Sequence, residues 1–203
     1  ESKKDELINE LKLTITKFFS EDPSSSYNYG KIINVKQFNR LVNYLQKEKI
    51  IHGGKYDSAT LFIEPTLMDV SSLDSVVMGN EIFGPILPIL SFQTTAEAKK
   101  IINHNPDPLA FYVFTESSEK EREWLREISF GGGCINNASW HLTNFYLPFG
   151  GRGNSGIGRY HGKYSFDTFS HTKAVMKTPT WFDPSIKYPP FKGKLNLFKK
   201  IIR

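Results

Sequence analysis

A chain of 203 residues is long enough to bury a hydrophobic core, either as one large domain or as a domain with an appendage. With 39% hydrophobic, 14% aromatic and 23% charged residues, it is excluded from the class of disordered proteins. The formal net charge of +5 would suit an anionic partner, but the basic residues are scattered apart from those in 192–203 and no aromatic-interleaved basic patch accompanies them, so nucleic-acid binding is not predicted.

Cys134 is the single cysteine of the chain, which excludes an internal disulfide and is compatible with a reducing compartment. No apolar run has the length of a membrane span, and no signal-like segment opens the chain. We therefore expect a soluble, cytoplasmic protein. The sequence opens on Glu1 and reads as helix almost at once, which suggests that it starts partway through a longer protein.

Two amphipathic helices are predicted first. One covers residues 5–19, where apolar side chains recur at helical steps, and it stops at Pro23 and the serines that follow. The other covers residues 35–49 and is followed by a turn at 52–55. The apolar faces comprise Leu7, Leu11, Ile15 and Phe18 in the first helix and Phe38, Leu41, Val42 and Leu45 in the second.

The middle of the chain alternates between strands and helices. It is preceded by an extended stretch at 61–68, in which Pro65 indicates a sheet edge or a strand end. The alternating elements are a strand at 86–92, a helix at 94–105 capped by Thr94 or Thr95, a strand at 109–115, a capped helix at 117–129 and a strand at 132–139. This order, with short connections, predicts the α/β class, a parallel sheet with crossover helices.

The pattern changes beyond Gly158. Residues 166–178 look like a short helix or turn that runs into a strand of alternating character, and the tail from Thr180 is rich in proline and irregular up to its basic end.

Residues 150–158 (GGRGNSGIG) contain the glycine spacing of a dinucleotide-binding turn. That turn requires a buried strand before the first glycine and a helix that begins at the last one, so that helical N–H groups face the phosphates. Pro148 precedes the stretch and Gly162 follows it where a helix should be under way, so neither flank fits. Phosphate binding is therefore not predicted here.

Three segments change the interpretation when they are taken together. They are EIFGPILPI (81–89), PLAFYVFT (108–115) and LPFGGRGNSGIGRYHGKYSFDTFSH (147–171). In this order they closely resemble the C-terminal half of the NAD(P)-dependent aldehyde dehydrogenases, in particular the class 3 branch that includes fatty aldehyde dehydrogenases. The resemblance covers nearly the whole chain. It implies an oxidoreductase that converts aldehydes to carboxylic acids with NAD or NADP through a thiohemiacetal and a thioester.

The resemblance assigns cofactor binding to Glu81 and Phe83. Glu81 is similar to the family's glutamate that accepts hydrogen bonds from the nicotinamide ribose, and Phe83 to the aromatic residue that packs beside the nicotinamide ring. The alternative is structural: Glu81 would cap a helix and Phe83 would lie in the core.

The aldehyde side of the site is assigned to the segment around residues 149–156. Phe149 resembles the phenylalanine that walls the substrate pocket, and the glycines after it line the aldehyde-binding side and the approach to the subunit interface. Trp140 and His141 lie on the preceding loop and are further pocket candidates, with plain packing of that loop as the alternative. His161 and His171 are interpreted as structural, and no histidine has the spacing of a metal site.

The catalytic cysteine and glutamate of the family would lie upstream of this chain, together with the nucleotide-binding domain. Cys134 falls in a predicted inner strand and is interpreted as a small hydrophobic residue. The implied organisation is a partial catalytic domain at 1–165, an oligomerisation arm at 166–180 and a tail at 181–203, and the isolated chain is predicted to be inactive.

Three alternatives for the chain remain. It is part of a dehydrogenase, with an aldehyde as its small-molecule substrate, or it is a catalytically silent module that forms oligomers. In either case the exposed sheet edge predicts a homodimer or association with the missing N-terminal half. The third and weaker alternative is peripheral membrane contact through the tail at 194–203, which is expected instead to pack on its own protein. The preference between NAD and NADP and the chain length of the aldehyde stay open.

Overall fold

The computed structural model describes residues 3–201, which contain six α-helices and seven β-strands. Glu1, Ile202 and Arg203, on which the sequence predictions also drew, lie outside this range. The helices are α1 (Lys4–Phe19), α2 (Val35–Leu45), α3 (Thr95–His104), α4 (Ser118–Glu127), α5 (Gly162–Thr168) and α6 (Leu195–Ile201). The strands are β1 (Lys49–His52), β2 (Tyr56–Asp57), β3 (Phe62–Ile63), β4 (Thr66–Asp69), β5 (Ile86–Ile89), β6 (Ala110–Val113) and β7 (Gly132–Ile135). No helix in this range combines the length and the apolar character needed to span a membrane.

The main hydrophobic core is built on α2. The Asn34 side chain caps this helix by accepting a hydrogen bond from the Gln37 N–H (2.9 Å). Leu41 in α2 and Met68 in β4 are both fully buried. The buried members of this cluster are Phe38, Leu41, Tyr44, Leu45, Ile63, Met68, Val70, Val77 and Ile86. The core therefore joins α2 to the strands that lead to the loop before β5.

The predicted helix at 35–49 is too long, because α2 ends at Leu45. The residues after it include Ile50 and Ile51, which are β-branched and favour a strand. They form β1, which pairs antiparallel with β4, and Ile50 lies opposite Met68. The residues after Leu45 therefore leave the helix and enter β1, where pairing with β4 determines their conformation.

The continuous parallel sheet that the sequence predicts is present only in part. Among residues 3–201 the strands form three sheets, in the orders β1-β4-β5, β2-β3 and β6-β7. The pairs β4-β5 and β6-β7 are parallel, and α4 is the crossover helix of the second pair. Pro88 lies within β5 and has no N–H to donate, which suits a strand at a sheet edge.

Helices α3 and α4 begin at the predicted caps. The Thr94 hydroxyl accepts a hydrogen bond from the Glu97 N–H (3.1 Å), and the Ser117 hydroxyl accepts one from the Lys120 N–H (3.3 Å). The two helices are also joined through Lys99, which forms ion pairs with two glutamates of α4.

The strand predicted within residues 166–178 is not formed in the described chain. Helix α5 ends at Thr168, and no residue from 169 to 180 belongs to a strand. Val175 and Met176 are 79% and 89% exposed. An extended segment becomes a strand only by hydrogen bonding to a neighbour, and the described residues provide none for this segment.

Helix α6 packs mainly on the tail that precedes it. The Phe198 ring contacts the Phe191 ring with centroids 6.2 Å apart, and the Lys194 ammonium donates to the carbonyls of Ser185 (2.9 Å) and Tyr188 (3.0 Å). No residue described in α6 is fully buried.

Candidate functional site

Glu81 and Phe83 lie on the loop that enters β5. The alternative that placed Phe83 in the core is wrong, because its side chain is 79% exposed. The alternative that made Glu81 a helix cap is also wrong, since no helix in the described residues begins at that position. Phe83 adopts a left-handed backbone conformation with φ of 46°, which is unfavourable for a residue with a bulky side chain.

Arg40 of α2 holds this loop through its backbone. Its guanidinium donates hydrogen bonds to the carbonyl oxygens of Glu81 (3.3 Å) and Ile82 (2.6 Å). The loop also approaches α2 at Gly84, where a Cβ atom would lie 2.6 Å from the Leu41 side chain. The loop that carries both candidate residues is therefore fixed to the helix at the centre of the core.

An open groove of about 840 Å³ lies between this loop and the N-terminal end of α2. Glu81 and Phe83 both line it, beside polar side chains of α2 and of the segment before that helix. A carboxylate can accept two hydrogen bonds from vicinal hydroxyl groups, and an exposed aromatic face can pack against a flat ring. The groove thus combines the two recognition elements that a ribose joined to an aromatic base requires.

A second groove of about 670 Å³ reaches from Glu81 to the glycine-rich segment. Asn154 and Ser155 of that segment line it, together with Asp107 from the loop between α3 and β6. The structure therefore brings the proposed cofactor residue and the glycine-rich segment to the walls of one groove.

His141 and Phe149 form an aromatic cluster next to the glycine-rich segment. His141 is buried at 7% exposure, and its ring lies 6.1 Å from that of Phe149. A second neighbour of Phe149 is His161, whose ring stacks on it at 5.9 Å and an interplanar angle of 24°. Trp140, by contrast, is 68% exposed. Sequence reasoning assigned His161 only to structure, and its contact with Phe149 accompanies the pairing of Phe149 with Tyr160, which the sequence does not show.

Both histidines have a buried ring nitrogen without a hydrogen-bond partner in the described chain. These atoms are Nε2 of His141 and Nδ1 of His161. The other nitrogen of His141, Nδ1, lies 3.7 Å from the Cys134 sulfur. Within residues 3–201, no three His, Cys, Asp or Glu side chains come together as they would around a metal ion.

Two stretches of backbone approach each other closely within the glycine-rich segment. A Cβ atom on Gly150 would lie 2.3 Å from the Gly158 carbonyl oxygen, and one on Gly151 would lie 2.2 Å from that of Ser155. Gly156 is followed by no helix until α5 begins at Gly162. The geometry therefore explains the glycines by close backbone approach and does not supply the helix N-terminus of a phosphate-binding turn.

One ion pair ties the glycine-rich segment to the rest of the molecule. The Arg152 guanidinium contacts the Asp107 carboxylate, which lies on the loop between α3 and β6. Asp107 itself has a φ of 61°, which asparagine and aspartate adopt more easily than other side chains.

Comparison with known proteins finds the aldehyde dehydrogenase family model over residues 1–175. The chain is 44% identical to 4,4'-diaponeurosporen-aldehyde dehydrogenase of Staphylococcus aureus, covering 100% of this chain and 45% of that protein. It is 46% identical to human aldehyde dehydrogenase family 3 member B1, covering 91% of this chain and 40% of that protein. The chain thus spans less than half the length of the curated relatives that it matches.

Solved structures give the same result. The substrate-bound state of Staphylococcus aureus AldH superposes with a TM-score of 0.91 at 44% identity, covering 100% of this chain and 45% of that one. Mycobacterium tuberculosis aldehyde dehydrogenase complexed with NAD+ superposes with a TM-score of 0.75 at 28% identity, covering 90% of this chain and 39% of that one.

Proposed function

The chain belongs to the aldehyde dehydrogenase family, and from that premise we propose that it is the C-terminal part of an NAD(P)-dependent enzyme of the class 3 branch, which oxidises aldehydes to carboxylic acids. Relatives named as family 3 members support the branch, and so do the three motif segments quoted above. The position within the enzyme is supported by the order of those segments, which are similar to the second half of the family's sequence.

One observation supports the cofactor assignment. Glu81 and Phe83 lie on one loop, which Arg40 fixes, and both line the same groove. In the proposed complex, the Glu81 carboxylate accepts hydrogen bonds from the ribose hydroxyls, and the Phe83 ring packs beside the nicotinamide. NAD or NADP, when bound, supplies the hydride acceptor. What these residues do is orient the ribose and the ring and shield the ring from water.

The aldehyde is assigned to the side of the site that Phe149 and His141 form, and Trp140 is kept as a peripheral candidate because of its exposure. The Phe149 ring packs against the rings of His141 and His161. The apolar face of Phe149 suits the hydrocarbon part of an aldehyde, because the transfer of apolar surface out of water is favourable. The unpaired Nε2 of His141 is a polar group in the wall of this cluster.

The nucleophilic thiol and the carboxylate that activates water are assigned to the part of the enzyme outside this sequence. Cys134 is a poor candidate for the nucleophile because it lies in the middle of β7, a strand paired along its length with β6. Residues 1–203 are therefore proposed to bind and orient, and on their own to catalyse no turnover.

The test is equilibrium binding of NADH to the natural protein that carries this sequence, followed by its fluorescence. Glu81→Gln is expected to weaken binding by about tenfold, since it removes a charge-assisted acceptor. Glu10→Gln, at an exposed position of α1, is the matched control and should leave binding unchanged. Unchanged NADH binding by Glu81→Gln would overturn the cofactor assignment.

A second candidate function is a catalytically silent module that forms oligomers. The observation in its favour is the segment 169–180, which has no strand partner in the described chain and exposes Val175 and Met176. A mouse relative at 40% identity is named as dimeric and NADP-preferring. Light scattering of the purified chain tests this: a dimer that deletion of 169–180 converts to a monomer supports it, and a monomer before deletion contradicts it.

A further inference from the structure

We propose that Arg40 is a positioning residue of the cofactor site, and that it determines the affinity for the nicotinamide half of the cofactor by fixing the loop that presents Glu81 and Phe83. This inference rests on the proposed function, because it takes Glu81 to be the ribose acceptor. Arg40 itself needs no contact with the cofactor for this role.

The guanidinium of Arg40 is held from two sides. On the helix side, its Nε donates to Gln37 Oε1 (2.7 Å) and its Nη1 to the Tyr44 hydroxyl (3.1 Å). On the loop side, Nη1 and Nη2 donate to the carbonyls of Glu81 and Ile82. The planar guanidinium can donate to several acceptors at once only when its orientation is fixed. Its hydrogen bonds to Gln37 and Tyr44 on α2 fix that orientation.

The loop requires such a support because of its conformation. Phe83 has a φ of 46°, and a residue with a Cβ atom persists in this region only when its surroundings impose it. The two carbonyls that Arg40 binds immediately precede Phe83. The residue after it, Gly84, lies against Leu41 so closely that a Cβ atom would clash. The strained residue is therefore fixed on both sides by one turn of α2.

Helix α2 is a rigid base for this contact. Phe38, Leu41, Tyr44 and Leu45 are all buried in the main core. Tyr44, which orients the guanidinium, is 3% exposed. The position of Glu81 is thereby coupled to the best-packed part of the molecule.

The roles of Arg40 and Glu81 are complementary. Arg40 directs its donors to backbone carbonyls and leaves the Glu81 carboxylate without a hydrogen-bond partner among the described residues. The carboxylate remains available for the ribose, while the backbone that carries it is held. Loss of Arg40 would free the loop to leave the left-handed conformation, and the bound state would then have to reorder it.

The experiment compares ligands that contain the nicotinamide-side ribose with one that lacks it. Binding of NADH, ADP-ribose and AMP is measured by calorimetry and fluorescence on the natural protein that carries this sequence. NADH and ADP-ribose contain the ribose that Glu81 is proposed to bind, and AMP does not. Arg40→Gln is expected to weaken the binding of NADH and of ADP-ribose by roughly tenfold, and the binding of AMP by less than about twofold. Arg122→Gln, an exposed arginine of α4, is the matched control.

Arg40→Lys and a double variant complete the design. Lysine keeps the charge but cannot reproduce the fork, so Arg40→Lys should show an intermediate loss, and it decides the question if Arg40→Gln does not fold. If Arg40 acts through Glu81, the double variant Arg40→Gln/Glu81→Gln should lose less than the product of the two single losses. Thermal unfolding of each variant, measured in parallel, identifies a general loss of structure.

The outcomes separate the two proposals. Equal weakening of AMP and ADP-ribose, or independent effects in the double variant, would overturn the role of Arg40. Normal ADP-ribose binding by Arg40→Gln, with weakened binding by Glu81→Gln, would also overturn it and leave the cofactor assignment intact. Normal binding by Glu81→Gln would refute the cofactor assignment itself.

Discussion

Replacement of Gly150 by alanine tests whether the glycine-rich segment exists for close backbone packing. The added Cβ atom would lie 2.3 Å from the Gly158 carbonyl oxygen and 2.8 Å from the Arg159 Cα atom. Both are backbone atoms, so no side-chain rotation relieves the contact. The segment that must move includes Tyr160, whose N–H and carbonyl each form a 2.9 Å hydrogen bond with Phe149.

The cost follows from what must shift. Insertion of a methyl group into a packed site without room costs about 1–3 kcal/mol. Each of the two Phe149–Tyr160 backbone hydrogen bonds contributes roughly 1 kcal/mol when it is made. We therefore expect Gly150→Ala to destabilise the chain by about 2–3 kcal/mol, and its Tm to fall by roughly 4–12 °C, given about 2–4 °C per kcal/mol in a chain of this size.

The assay is thermal unfolding followed by far-ultraviolet circular dichroism. Gly30→Ala is the matched control, because a Cβ atom there meets nothing within 4 Å. That control should be neutral or stabilising by up to about 1 kcal/mol through the unfolded state. A Gly150→Ala protein whose Tm equals that of the wild type within about 1 °C would refute the packing explanation.

Three further predictions concern the core, the surface charges and the thiol. Leu41→Ala, at a fully buried position, should destabilise the chain by about 2–5 kcal/mol in urea unfolding, and a smaller loss would mean that the site collapses around the cavity. The Lys120 and Lys99 ammonium groups lower the pKa of Glu123 to about 2. The pKa of Glu123 is lower in the folded than in the unfolded chain, so its ionised carboxylate stabilises the fold. This stabilisation is complete above about pH 5 and is lost as the pH falls towards 2. The Tm difference between the wild type and Glu123→Gln should shrink over that range, and a constant difference would contradict the assignment. Cys134→Ser in the natural protein should leave aldehyde turnover unchanged in a steady-state assay, whereas loss of turnover at an unchanged Tm would contradict the structural role of Cys134.

The helices were predictable where their signals are local. The cap of α3 was predicted at Thr94 or Thr95 and α4 as a capped helix that opens on Ser117, because a hydroxyl next to an amphipathic run satisfies N–H groups that the helix itself leaves unpaired. Helix α1 was predicted within one residue of its start because the period of its apolar residues lies entirely within the segment.

The strand pairing was not predictable in the same way. The second helix was extended into residues 46–49, because the sequence does not show that Ile50 will lie opposite Met68 on β4. The strand predicted within 166–178 needs a neighbour that the described residues do not provide. A strand pairs with whichever segment lies beside it in the fold, and the residue pattern of one segment does not show which segment that is.

The candidate site also has features that the sequence could predict and features that it could not. Motif resemblance proposed Glu81, Phe83 and Phe149 as site residues, because the chemistry of these side chains depends on their residue type, and their roles stay predictions. The support by Arg40 and the stacking of His161 on Phe149 were missed, because these contacts join residues that are distant in sequence or unremarkable in type.

The two sides of the proposed site differ in how far the chain itself fixes them. The loop that carries Glu81 is bound by Arg40 to a helix in the main core, so its shape depends on interactions within residues 34–90. The aromatic cluster at Phe149 includes one β-bridge and ring stacking, and the neighbouring glycine-rich segment is joined to Asp107 by the ion pair of the partly exposed Arg152. An exposed ion pair stabilises by about 0–1 kcal/mol and weakens with salt. The part of the proposed aldehyde site that this ion pair supports should therefore be more sensitive to salt than the loop that carries Glu81, the proposed ribose acceptor.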